Sequence, residues 1–230
     1  DNTLGCAQAI ASLVREAGVP AGVFSVLTGD PETLVGALCD SPVVRALSFT
    51  GSTAIGRMLL ARCAATVKRV SLELGGHAPF LVFPDCDVEQ AAAAAVAAKY
   101  QTSGQDCLAA NRIYVHEDIK EAFEVAVARA AQRLTVGPGF EPDVELGPLI
   151  NERAVAKTRE HVEDAIALGA RLLVGGDLDR RGGLFFAPTV LADVTGDMKI
   201  VQEETFGPVA AILGFSDEDA VIRAANDTQY

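Results

Sequence analysis

What constrains this chain most is the way short apolar runs and helix-length periodic segments take turns along it. Apolar runs that are separated by helices need crossover connections. The alternation therefore predicts an α/β architecture with a largely parallel sheet, and it speaks against a sandwich or a bundle.

A helix over residues 7–17 stops at Gly18 and Pro20, and apolar runs at 23–27 and 46–49 read as buried strands with a helix over 31–39 between them. After Gly51 a helix runs to about Ala65. Residues 70–74 then alternate, which puts Ser71 and Glu73 on one face and Val70, Leu72 and Leu74 on the other. Gly75-Gly76 breaks that strand, and a domain boundary is expected there, dividing the chain into 1–75 and 76–230. The second part opens with a strand at 79–83 and a helix over 88–100, with Asp87 and Gln90 as a capping box. That helix is apolar almost all round and is expected to be buried. A strand at 112–115 follows, then a second capping box, Asp118 with Glu121, ahead of a helix to about Leu134. A helix capped by Asn151 ends at Gly169, strands come at 171–174 and 209–215, and a last helix covers 217–225.

With 50% hydrophobic residues the chain can build one large core or two smaller ones, which excludes a disordered chain. A net charge of −12 without any Lys/Arg run leaves no footprint for nucleic acid or an anionic membrane. The most apolar run, 91–98, is far shorter than the roughly 20 residues a bilayer span requires, so a soluble protein with small or neutral partners is expected. The five cysteines, at 6, 39, 63, 86 and 107, are odd in number, widely spaced and without a CxxC pair. Neither a disulfide framework nor a zinc site follows, and reduced thiols in a cytoplasm are expected. Residue 1 is Asp, no targeting segment can be read, and the chain is expected to be an internal stretch of a longer polypeptide.

Four segments could carry chemistry. The first, Phe49-Thr50-Gly51-Ser52-Thr53, is a strand end, a glycine turn and a helix start. Its free N–H groups suit a phosphate, although Arg57 and Met58 stand where a P-loop needs Lys and Ser/Thr. Read plainly, it is a strand–helix turn with Ser52 as N-cap. Cys107, in the second segment, Ser103-Gly104-Gln105-Asp106-Cys107, is either a nucleophile at a glycine turn or an inert buried thiol. Glu73, a carboxylate inside an apolar strand beside Gly-Gly, is either a general base or an edge-strand glutamate in solvent. In the fourth, Gln202-Glu203-Glu204-Thr205-Phe206-Gly207-Pro208-Val209, a carboxylate and a ring could receive a ribose and a planar heterocycle, or could form a polar loop with a core phenylalanine.

Taken together and in this order, Phe-Thr-Gly-Ser-Thr, Leu-Glu-Leu-Gly-Gly, Gly-Gln-x-Cys and Glu-Glu-x-Phe-Gly-Pro resemble the aldehyde dehydrogenase superfamily. Gly147-Pro148-Leu149-Ile150 and Phe186-Ala187-Pro188-Thr189 extend the likeness over nearly all 230 residues. The resemblance implies that residues 1–75 are the C-terminal part of a Rossmann-like NAD(P)-binding domain. It implies that 76–230 are an α/β catalytic domain lacking its C-terminal end. Cys107 would attack an aldehyde, hydride would pass to the nicotinamide, and Glu73 would activate water to release a carboxylic acid. The Cys107 N–H would supply part of an oxyanion hole. Ser52 would meet the pyrophosphate, with Thr50 and Gly51 on the nicotinamide side. Leu74 would hold the carboxamide through its carbonyl, Glu204 the nicotinamide ribose with Phe206 beside it, and Gly29 would pack near adenine. Asp1 would accept the adenosine 2′-hydroxyl, which favours NAD over NADP. The intact protein would be a homo-oligomer, a dimer or tetramer, acting on a small aldehyde.

Within the superfamily the likeness is greatest to succinate-semialdehyde dehydrogenases. There are two departures, Gln101 where those enzymes tend to carry an arginine for a substrate carboxylate and Ala109 where some carry a second cysteine. Two other readings stay open: a Cys–His hydrolase pairing Cys107 with His77, His116 or His161, and a fold-retaining protein without turnover.

Overall fold

The structure is a computed structural model that describes residues 4–230. The chain forms two compact units, Asp1–Leu74 and Gly75–Tyr230. Asp1 lies outside the described residues.

The first unit contains α1 (Leu4–Glu16), α2 (Pro31–Asp40), β1 (Ala46–Thr50), α3 (Thr53–Ala64) and β2 (Arg69–Glu73). β1 and β2 pair in parallel, with Ala46 opposite Arg69 and Thr50 opposite Glu73. The two helices that follow turns carry side-chain caps: Asp30 accepts the Thr33 N–H at 2.8 Å, and Ser52 caps α3. Cys39, Leu59 and Cys63 form the small core, with Val35, Leu47, Phe49 and Val70 packed against it. Two expectations fail here. Residues 23–27 are loop, with Val23, Phe24 and Leu27 all exposed, because β1 and β2 pair with each other and no ladder reaches them. β1 alternates exposed and half-buried rather than being buried on both faces.

The second unit is a five-stranded sheet of order β3-β4-β7-β6-β5, made of β3 (Pro79–Val82), β4 (Arg112–His116), β5 (Arg171–Val174), β6 (Thr189–Ala192) and β7 (Val209–Phe215). All neighbours are parallel except β5, which runs antiparallel to β6. Alternate side chains of the central strands enter opposite cores. Ile113, Val115, Ala210 and Ile212 pack with α4 (Val88–Tyr100) and α5 (Lys120–Ala131). Tyr114, Val209, Ala211, Leu213 and Phe215 pack with α6 (Glu152–Ala167) and α8 (Glu218–Asn226). A sheet covered on both faces explains why the strand at 209–215 is a continuous apolar run. The short α7 (Lys199–Gln202) and β6 carry no periodic signal strong enough to read.

Helix capping follows the sequence where the cap is local. Asp87 Oδ1 accepts the Gln90 N–H at 3.0 Å, and Asn151 Oδ1 accepts the Ala154 N–H at 3.0 Å. Asp118 is not a cap. His116 Nδ1 accepts the Asp118 N–H at 3.3 Å to open a 3-10 turn over Glu117–Ile119, and α5 starts after Ile119 with no side-chain cap and ends at Ala131. α4 is buried on one face only. Ala93, Ala94 and Ala97 face solvent, which alanine permits because each methyl exposes little apolar area. Among the described residues no helix is long and apolar enough to cross a membrane.

Candidate active site

In the first unit, the motif at 49–53 turns from β1 directly into α3. Ser52 Oγ accepts the Ile55 N–H at 3.4 Å, while the N–H groups of Thr53 and Ala54 sit in the first turn, where a helix has no acceptor for them. The Gly51 N–H donates to the Glu73 carbonyl at 3.0 Å, which ties this turn to the end of β2. A Cβ on Gly51 would lie 2.5 Å from the Phe49 ring, so the ring lies over the turn only because glycine is there. Glu73 stands exposed on the same face of β2 as Ser71. Leu74 closes on Gly56, where a Cβ would be 2.5 Å from Leu74 Cδ2. Beside α3, a pocket of about 550 Å³ is lined by Pro31, Val35, Phe49, Ile55, Leu59 and Arg62 among others. Gly29 brings its α-carbon against Leu34 at the start of α2.

In the second unit, Cys107 lies exposed after an unusual turn. Thr102, Ser103 and Gly104 all hold left-handed backbone, with φ of +51°, +59° and +69°. Such conformations persist only where surrounding contacts enforce them. Here Ser103 Oγ donates to the Gly147 carbonyl at 2.9 Å, Gln105 Oε1 accepts the Ile150 N–H at 2.8 Å, and Gln105 Nε2 donates to the Pro148 carbonyl at 3.2 Å. Gly104 packs on the Gly207 carbonyl, 2.2 Å from where a Cβ would stand, and Gly76 packs equally close to the Cys107 carbonyl. Asp106 Oδ1 accepts the Leu108 N–H at 2.9 Å. The segments 75–76, 103–107, 147–150 and 203–208, far apart in sequence, therefore meet around one thiol.

Glu204 faces the Gly-Gly corner, with Oε1 accepting the Gly76 N–H at 3.2 Å. Burial pushes its carboxyl up, against the Gly76 N–H and the cations Lys157 and Lys99. α6 holds this loop from behind: Lys157 Nζ donates to the Glu204 carbonyl, and His161 Nδ1 hydrogen-bonds Thr205 Oγ1 at 3.0 Å. Phe206, with φ of +56°, borders a cleft of about 490 Å³ shared with Gln105 and Leu149. Lys99, Asn111 and Lys157 escaped the sequence reading, and His161, weighed there only as a partner for Cys107, instead braces the loop at Thr205. Only Lys99, a lone cation in an alanine helix, left a trace that could have been followed.

The aldehyde dehydrogenase family profile matches residues 1–230. The chain belongs to the aldehyde dehydrogenase family. The similar aldehyde dehydrogenases include a non-phosphorylating aspartate-semialdehyde dehydrogenase of Halomonas elongata, 54% identical over 97% of this chain. The NADP(+) succinate-semialdehyde dehydrogenase GabD of Escherichia coli is 49% identical, and a 3-sulfolactaldehyde dehydrogenase of Pseudomonas putida 50%. The chain spans 45% of the first and 46% of the other two, less than half the length of these relatives. Among solved structures, a succinate-semialdehyde dehydrogenase from Burkholderia pseudomallei matches with a TM-score of 0.94 and 50% identity, covering 96% of this chain and 46% of that one. The α/β elements are those of the aldehyde dehydrogenases, and the chain covers part of their Rossmann-like domain. Family membership also removes the footing of the hydrolase reading. Among the described residues no histidine hydrogen-bonds Cys107, and the bonded ring nitrogens of His77, His116 and His161 meet the Val201 carbonyl, the Asp118 N–H and Thr205 Oγ1.

Proposed function

We propose that the protein to which this chain belongs oxidises an aldehyde to a carboxylic acid with NAD(P), using Cys107 as nucleophile and Glu73 as the base that activates water. The observation that carries the reading is the exposed Cys107 thiol at the end of a left-handed turn clamped by Gly76, Gly207 and Gln105. A thiol held by its backbone while its sulfur stays open can attack a carbonyl carbon, and the Cys107 N–H is the group we expect at the oxygen of the adduct. Glu73 would then take a proton from the water that hydrolyses the thioester.

The residues of the first unit fit a dinucleotide. Among the described residues the buried Thr53 Oγ1 has no hydrogen-bond partner, the first-turn amides of α3 suit a phosphate, and the apolar pocket beside α3 suits a flat heterocycle, with Gly29 expected near adenine. Ser52, Thr50, Gly51 and the Leu74 carbonyl would hold it on this side, and Glu204 and Phe206 would receive the nicotinamide ribose. When bound, the dinucleotide supplies the hydride acceptor. NAD is the first choice and NADP the second, because the resemblance would put Asp1, which lies outside the described residues, where an acidic side chain accepts the adenosine 2′-hydroxyl.

The substrate we favour is a semialdehyde, the class named for several relatives. Gln101 offers a neutral amide where an arginine clamp would be stronger. Free cysteines, with the Cys39 and Cys63 sulfurs 3.8 Å apart, suit a reducing cytoplasm. The test is a panel of semialdehydes and simple aldehydes against NAD and NADP with the full-length protein, followed by reduced-cofactor absorbance. We expect turnover that is lost in Cys107→Ala. No reduced cofactor with any aldehyde would reject the reading.

A further inference from the structure

Lys99 sits in the last turn of α4 with none of its surface open to solvent. Its Nζ donates to Asn111 Oδ1 at 2.7 Å, and the acid whose field favours its charge is Glu204. Burial pushes this ammonium down to about 7. Packing does not call for a lysine here, because the rest of the buried face is Ala92, Ala95, Val96 and Tyr100, and a buried cation is costly to keep.

The hydrogen-bond directions give the lysine a purpose. An ammonium group can only donate, so it turns the Asn111 amide oxygen toward itself and the amide NH₂ the other way. That NH₂ donates to the Gly76 carbonyl at 3.3 Å. Gly76 in turn donates its N–H to Glu204 Oε1 at 3.2 Å and lies against the Cys107 carbonyl, where a Cβ would approach to 2.2 Å. One peptide segment thus touches both the thiol loop and the acid that we place at the nicotinamide ribose, and Asn111 fixes it from below.

We infer that Lys99 is a positioning residue: by orienting the Asn111 amide it holds the Gly76 segment against the Cys107 loop and keeps the Gly76 N–H on Glu204. The inference rests on the function proposed above for what Cys107 and Glu204 do, but the geometry that it concerns can be read without turnover. Without the ammonium only the long bond to the Gly76 carbonyl orients the Asn111 amide, and the tether on the segment slackens.

The experiment compares Lys99→Met, Asn111→Asp and the double variant with the parent full-length protein. It measures the rate of Cys107 alkylation by iodoacetamide, followed by mass spectrometry of its peptide, the coenzyme KM and kcat, and the melting temperature. Each single variant is expected to change the alkylation rate and to raise the coenzyme KM by on the order of tenfold, the scale of one lost hydrogen bond to a charged group, while staying folded. The double variant, made with Asn111→Leu in place of Asn111→Asp so that no carboxylate is buried without its cation, is expected to be no worse than Asn111→Asp alone, because Lys99 acts through Asn111. Parent-like alkylation and KM in folded Lys99→Met, or effects that multiply in the double variant, would overturn the inference. If Lys99→Met fails to fold, Asn111→Asp, which keeps an acceptor for Lys99, decides alone, and loss of folding in both would make the pair structural and also overturn it. A parent that oxidises no aldehyde would instead reject the proposed function, with the alkylation comparison still testing the pair.

Discussion

At the scale of single residues, the site is shaped as much by missing side chains as by present ones. Gly76 and Gly104 each stand where a methyl group would lie 2.2 Å from a backbone carbonyl oxygen, and Gly104 also needs φ of +69°. Backbone cannot swing aside as a flexible side chain can. Gly104→Ala should therefore cost about 2 kcal/mol or more in denaturant unfolding and alter the alkylation rate of Cys107. A variant with parent stability would mean that the loop at 203–208 yields easily. These glycines were legible as breaks in the sequence, but their partners were not, because Gly104 meets Gly207 across about a hundred residues of intervening chain. Lys99 and Asn111 were hidden for the same reason: neither helix nor strand periodicity says which buried polar groups face each other.

At the scale of elements, local chemistry was readable and pairing was not. Asp87 and Asn151 cap their helices as the sequence predicts, because a cap is a bond to an N–H three residues on. Asp118 looked equivalent and fails, since His116 opens a 3-10 turn first. Asn151→Ala should accordingly cost about 1 kcal/mol in chemical denaturation, and Asp118→Ala less than about 0.5 kcal/mol. Equal costs would show that Asp118 does cap α5. Residues 23–27 have the composition of a strand but no strand to pair with among the described residues, while β6, preceded by the loop from Gly175 to Pro188, exists because β5 and β7 flank it. Strand existence depends on neighbours that no local window contains.

At the scale of the whole molecule, two buried histidines make stability depend on pH. Burial holds His77 down to about 4 from an ordinary 6.5, and lowers His161 as well. Between those values the unfolded chain binds a proton that folded His77 refuses, so stability falls as pH drops through this window, by up to about 1.4 kcal/mol per pH unit. The melting temperature should decline from about pH 6.5 to about pH 4.5, and less steeply in His77→Gln. A flat profile would mean that these rings reach solvent. The central claim is that the Cys107 thiol and the Glu73 carboxylate divide one reaction between them. It is tested most directly by rapid mixing of the full-length Glu73→Gln protein with aldehyde and coenzyme. The account predicts a burst of reduced coenzyme, about one per active site, followed by a stall, with no burst in Cys107→Ala. Full steady-state turnover in Glu73→Gln, or a burst without Cys107, would contradict it.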